Sequence, residues 1–189
     1  VTASLDSPDL PNPTGQARQD ISERFFLPVV TDILLAADAF YDDGRLGITS
    51  SGPVPPQVGA QTSYTLRTSI GSSLNDIENT KVVLVLPDGV SYTGQSYKTA
   101  GEIDYNDRTN TMTWTMPILE GLLGRSAAAQ ELRIQVAITP GENVRGQVVK
   151  LSQSIVASGT DSFTDTATSA SISEMPTTRT ASPQNGEVQ

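Results

Sequence analysis

Apolar and polar residues alternate in short runs along most of the chain, and turn-forming residues cut the runs apart. The clearest run is Thr111-Met112-Thr113-Trp114-Thr115-Met116, three threonines against three large apolar residues. A half-buried strand has that period, because successive side chains point to opposite faces. Tyr64, Leu66, Thr68 and Ile70 keep the same phase, as do Leu132, Ile134, Val136 and Ile138 against Glu131, Arg133, Gln135 and Ala137. Val82 to Leu86 is continuously apolar and suits a central strand. Pro87-Asp88-Gly89 ends it, and Pro140-Gly141 marks a further turn.

Less regular stretches fit between these. Thr31 to Asp42 is expected to open the sheet with Leu34, Ala36 and Phe40 on one face. Val90 and Tyr92 continue after the first turn, and Ile103 with Tyr105 leads into the hairpin before Trp114. Gly121 to Ala129 reads as a longer connection with a helical turn at Ser126–Gln130. Val149, Leu151 and Ile155 share a face, Gly159 breaks the run, and Phe163 resumes it in a Thr/Ser-rich strand ending near Ile172. About nine short strands at this spacing predict an all-β, antiparallel sandwich rather than βαβ units. Trp114, Tyr64, Leu84, Leu86, Leu132, Ile134, Val136 and Leu151 are expected to share its core.

The ends read differently. Residues 1–20 hold Pro8, Pro11, Pro13 and Gly15 among Asp, Ser and Asn, an extended arm unable to bury much surface. Ile21 to Val30 then concentrates Ile21, Phe25, Phe26, Leu27, Val29 and Val30. Asp20 with Glu23 can cap a short helix that Pro28 would stop, and an extended strand is the rival. Phe25, Phe26, Val29 and Val30 require cover, either from the domain's own core or from a neighbouring subunit. The expected division is an arm over 1–30, the sandwich over 31–175 and a polar tail over 176–189.

Composition narrows the function. The 189 residues suffice for one such domain with tails. The net charge of −9 opposes binding to nucleic acid, which depends on basic side chains displacing counterions. It equally opposes anionic membranes. The chain has no Cys and no His, so disulfides, thiolate metal sites and His-dependent triads are excluded within it. No apolar run approaches the length of a membrane-spanning helix. A start at Val1 fits either a processed mature chain or a piece of a longer one.

Several segments in this order resemble a known family. Pro56-Gln57-Val58-Gly59 with Thr62-Ser63-Tyr64-Thr65-Leu66 resembles the opening of an Ig-like repeat of bacterial cell-surface and cell-wall proteins, and Leu84 to Tyr92 resembles its central LP-x-G-V-x-Y segment. Thr113-Trp114-Thr115, Ile118-Leu119-Glu120-Gly121 and Leu132 to Ile138 resemble its Trp hairpin and the strand after it. Gly159 to Thr164 resembles a closing strand of versions from candidate-phyla bacteria. The resemblance implies an Ig-like sandwich displayed outside the cell, with no enzyme activity and no cofactor. A single copy with a long arm departs from the tandem pattern and raises non-covalent assembly with copies of itself.

Candidate chemistry is sparse. Glu102 and Asp104 share a strand face and can be read as a paired-carboxylate site or as a plain polar face. Asp104, Asn106, Asp107 and Asn110 surround a turn, where calcium ligation competes with turn formation, and Asp42-Asp43 carries the same weak signal. Lys81, Lys98 and Lys150 are the only lysines; a Lys–Asn crosslink would need one of them buried. Tyr92, Tyr97, Tyr105 and Trp114 can form a sugar-stacking platform, although the phase of Trp114 places it inside. The expected function is a structural module of a surface fibre or array, and the alternative is an adhesin domain binding glycans or other surface proteins.

Overall fold

The computed structural model describes residues 2–4, 22–24, 27–41, 48–179 and 186–189. Strand β1 (Thr2–Ser4) pairs antiparallel with β2 (Ser22–Arg24) in a ladder of three residues a side, separate from the other sheets. Glu23 thus lies in a strand and not in the first turn of a helix. Phe25 and Phe26 lie outside the described residues.

The remaining strands are β3 (Ile33–Phe40), β4 (Thr62–Ser72), β5 (Ile77–Val85), β6 (Val90–Lys98), β7 (Glu102–Asn106), β8 (Thr111–Leu119), β9 (Gln130–Ile138), β10 (Ser154–Asp161) and β11 (Thr166–Ser171). They form two antiparallel sheets in the orders β3-β4-β9-β6 and β11-β10-β5-β8-β7. This is an Ig-like sandwich, with β3, β4, β9 and β6 in one sheet and β5, β10 and β11 in the other. The β7–β8 hairpin extends the second sheet beyond β5. The apolar run from Val82 therefore sits in a strand flanked on both sides.

All eight residues expected in the core are there, joined by Ile70, Ile77, Met112, Leu119 and Ile155. Trp114 is fully enclosed, and its indole Nε1–H donates to Ala100 O at 2.8 Å. Tyr64 is equally enclosed; Tyr41 packs edge-on against its ring, centroids 6.1 Å apart.

Four expectations need correction. In β3 the inward phase is Ile33, Leu35, Ala37 and Ala39, one residue off from Leu34, Ala36 and Phe40. Phe40 instead lies under Arg67, 4.8 Å from guanidinium carbon to ring centre. Ser126–Gln130 contains no helical turn; a turn and a parallel bridge between Leu123 and Ala127 lead directly into β9. Gly159 does not end a strand but marks a register shift inside β10. Phe163 resumes no face: it sits 71% exposed in the β10–β11 turn.

Strand β9 is also buried on both faces. Ile48 to Ser51 crosses its outer side, where Gln135 Nε2 donates to Thr49 O (3.0 Å) and accepts at Oε1 from Thr93 Oγ1 (2.9 Å). Arg133 is 2% exposed and paired with Glu131 at 2.9 Å. Burial lowers its guanidinium pKa below the ordinary value. The polar 176–189 stretch is tied in where it is described. Thr178 N–H donates to Val149 O, Val188 exchanges bonds with Gly146 and Gln147, and Gln189 with Pro56 and Val58.

Candidate interaction surface

The strand registers divide the loops between two poles. The segment entering β3, the β4–β5 turn, the β8–β9 loop and the β10–β11 turn share one pole. Nine large apolar residues stand exposed among the described residues, and all but Tyr97 and Val156 belong to this pole: Leu27, Val29, Val30, Leu74, Ile118, Leu122 and Phe163. Scattered apolar residues on a surface are ordinary, but their concentration marks an interaction site. Val29 and Val30, expected to need cover, are 59% and 45% exposed, so their own core does not cover them.

The base of this pole is firmly bonded. Thr31, fully buried, donates its N–H to Asp161 Oδ2 at 2.6 Å. Its Oγ1 meets Ser72 Oγ (2.9 Å) and accepts from Leu74 N–H (2.9 Å). Asn75 Nδ2 donates both to Asp161 Oδ2 (2.9 Å) and to Val29 O (3.0 Å). Asp161 Oδ1 accepts from Phe163 and Thr164 N–H, both at 2.9 Å, which shapes the turn that displays Phe163. Burial alone would raise the Asp161 carboxyl. The donors from Asn75, Thr31, Thr164 and Phe163 outweigh it and hold that carboxyl well below the usual range.

Two loops meet backbone to backbone here. A Cβ at Gly71 would collide with Leu123 O, and one at Gly121 with Leu74 O. Gly121 N–H donates to Asp76 Oδ1 at 2.6 Å. Between them Leu122 is held at φ +63° and remains 41% exposed. A leucine in the left-handed region is strained, and strain of that kind persists where surrounding contacts over-determine it.

The other candidate residues fall elsewhere. Glu102 and Asp104 are exposed on β7, where Glu102 pairs with Lys98 at 2.8 Å. Asn106 Oδ1 accepts from Arg108 and Thr109 N–H, and Asn110 Nδ2 donates to Val90 O at 2.7 Å. These side chains build the turn. Among the described residues no group of three or more acidic side chains is placed to hold a metal; Asp42 and Asp43 lie outside them. Lys81 and Lys150 are exposed and Lys98 is half-buried, so no lysine has the burial a crosslink requires. Tyr92 and Tyr105 pack with centroids 5.0 Å apart and planes tilted by 60°, while the enclosed Trp114 is lost to any sugar platform. A cleft of about 170 Å³ at the opposite pole, lined by Asp88, Ile138, Pro140, Val144 and Val149, is smaller than the usual small-molecule site. Among the described residues no helix is long and apolar enough to cross a membrane.

No protein-family model and no curated protein sequence matches the chain. The chain is similar to several solved structures. The C-terminal fragment of the major pilin of Streptococcus agalactiae is 13% identical, with 78% of this chain and 55% of that one covered at a TM-score of 0.44. BcpA, the major pilin subunit of Bacillus cereus, is 13% identical over 87% of this chain and 52% of that one, at 0.41. The Actinomyces fimbrial adhesin FimA is 11% identical over 79% and 49%, at 0.31. The chain spans about half the length of these three.

Proposed function

We infer that this chain is an extracellular structural module of a bacterial surface fibre or array, whose subunits join through the N-terminal arm and the apolar pole it leaves from. One observation carries this: the exposed apolar residues gather at the arm's root on a base fixed by Asp161, Thr31 and Asn75. A pole that is rigid underneath and apolar on top serves contact between subunits better than catalysis. The segments resembling a bacterial surface repeat point to the same setting. Phe25, Phe26, Val29 and Val30 supply the subunit contacts, copies of the same chain are the partners, and the location is the cell surface.

A contact between two different surfaces of one chain need not close on itself, so it extends into a fibre. The test is sedimentation and negative-stain imaging of the full chain beside a variant with Phe25, Phe26, Val29 and Val30 all changed to Ser. The full chain is expected to form concentration-dependent polymers and the variant to remain a monomer. A full chain that stays monomeric at high concentration, or a variant that assembles equally well, would defeat the assignment.

A further inference from the structure

We propose that the free edge of β11 receives the arm of a second copy as an added strand. This rests on the self-association reading above and names its acceptor. The sandwich has four sheet edges, and natural proteins guard such edges with charge, bulges or proline. Strand β7 carries Glu102 and Asp104. Strand β6 is broken by a register shift between Tyr92 and Ser96. Strand β3 carries Asp38, paired with Arg67 at 2.7 Å. Strand β11, Thr166-Ala167-Thr168-Ser169-Ala170-Ser171, has no charge, no proline and an unbroken register with β10. Ile172 N–H donates to Ile155 O, so by alternation Ala167, Ser169 and Ser171 turn their N–H and C=O groups to the open side.

The core-facing side chains beside that edge are small. Between β6 and β7 lie the rings of Tyr92 and Tyr105, in contact and tilted by 60°. On β3 and β11 the partly buried, core-facing positions include the small Ala37 and Ala170, each four residues in from the pole-side end of its strand, and Leu35, Ile172 and Met175 are likewise partly buried against the core. An added strand along β11 would bring its apolar side chains beside these small, partly buried residues.

The arm has the pattern for this. Phe25, Leu27 and Val29 share one phase. In a strand, residues of one phase also direct their N–H groups to one side, so Pro28, in the other phase, faces solvent where its missing N–H costs nothing. Exposure climbs from the buried Thr31 through 45% at Val30 and 59% at Val29 to 77% at Leu27. Beyond the Asn75–Val29 bond, the side chains of this segment are thus left largely uncovered by their own subunit. Strand β2 is already extended and, among the described residues, pairs only with the three-residue β1, and a two-stranded ladder that short is marginal in water.

The test uses two full-length variants. Ser169→Pro removes an outward N–H while leaving the bonds to β10, so it blocks the edge and keeps the arm. Phe25→Ser with Leu27→Ser blocks the arm and keeps the edge. Each alone is expected to show at least a tenfold weaker apparent association constant by sedimentation, with circular dichroism matching the parent. Mixed, they are expected to form a complex of twice the subunit mass that grows no further, since one intact arm meets one intact edge. Ser171→Lys, a charge like those guarding β3 and β7, serves as a second edge variant should the proline disturb folding. Edge variants that polymerise like the parent, while the arm variant does not, would overturn β11 as acceptor and leave self-association standing. A parent that never associates would defeat both.

Discussion

Removing the indole of Trp114 tests the core most directly, because this is the sole tryptophan and it is fully enclosed. An enclosed tryptophan hides about 200 Å² of surface, which at ~25 cal/mol per Å² corresponds to about 5 kcal/mol. Measured truncations of large buried aromatics to alanine fall at about 3–5 kcal/mol. The variant also leaves Ala100 O without the donor that now sits 2.8 Å away. Trp114→Ala is therefore expected to cost about 4 kcal/mol, within the range found for such truncations. With a urea dependence of about 2 kcal/mol per molar, typical for a small domain, the unfolding midpoint falls by about 2 M. Far-UV circular dichroism is the right probe, since fluorescence disappears with the residue. Trp114→Phe keeps most of the packing and loses the hydrogen bond, so its midpoint belongs between the two. A midpoint for Trp114→Ala within about 0.5 M of the parent, about 1 kcal/mol on the same slope, would mean that the ring is not part of the core.

Two further predictions concern single polar groups. The Tyr64 hydroxyl is buried, and no hydrogen-bond partner for it lies among the described residues. Desolvation, with Tyr41 adding to it, raises its pKa to about 12. Its neutral form thus stabilises the fold fully below about pH 10, the unfolded value, and that contribution fades as pH rises toward 12; Tyr64→Phe is expected to leave the neutral-pH midpoint equal or higher and to weaken the alkaline loss seen in urea titrations. Asp161 has a depressed carboxyl pKa, so its contribution is present above the unfolded value of about 4 and is lost as pH falls below it. Asp161→Asn is expected to lower the midpoint at pH 7 and to flatten its fall in acid, and an acid limb as steep as the parent's would show that other carboxylates set it.

The strands were legible wherever one phase was apolar and the other polar, as around Trp114 and along β4. The facing of a strand is ambiguous where both phases are apolar. In β3, Leu34-Leu35-Ala36-Ala37 offers no contrast, and only pairing with β4 selects the face. The alanines at 127–129 raise helix propensity, but the loop is held by Leu123 and by contacts around Gly71, which local preference cannot anticipate. The turn at Phe163 has a readable signal: Asp161, two residues earlier, caps it with its own side chain. The outer face of β9 looked solvent-facing because its cover, Ile48 to Ser51, lies far away in sequence. The apolar pole was half-visible. Val29 and Val30 stood out by composition, whereas Leu74, Leu122 and Phe163 join them only through contacts such as Thr31 with Asp161, 130 residues apart.

That long-range contact also bears on how a fibre joined through its arms would carry load. Tension entering from the arm arrives at Thr31, the first fully buried residue after it. If Thr31 were held by β3 alone, the pull would open the β3–β4 ladder one bond at a time from its end. Instead its N–H is held by Asp161 at the end of β10, and its carbonyl accepts from Thr168 of β11 at 3.2 Å. Its hydroxyl meets Ser72 at the end of β4. The load is thereby divided between both sheets at the point of entry, and several bonds must fail together before β3 can peel. Strand β11, the proposed acceptor, is one of the strands that share this load through Thr168. In such a fibre the site that receives one neighbour's arm is mechanically continuous with the root of the subunit's own, so force passes along subunits without crossing the core between the sheets.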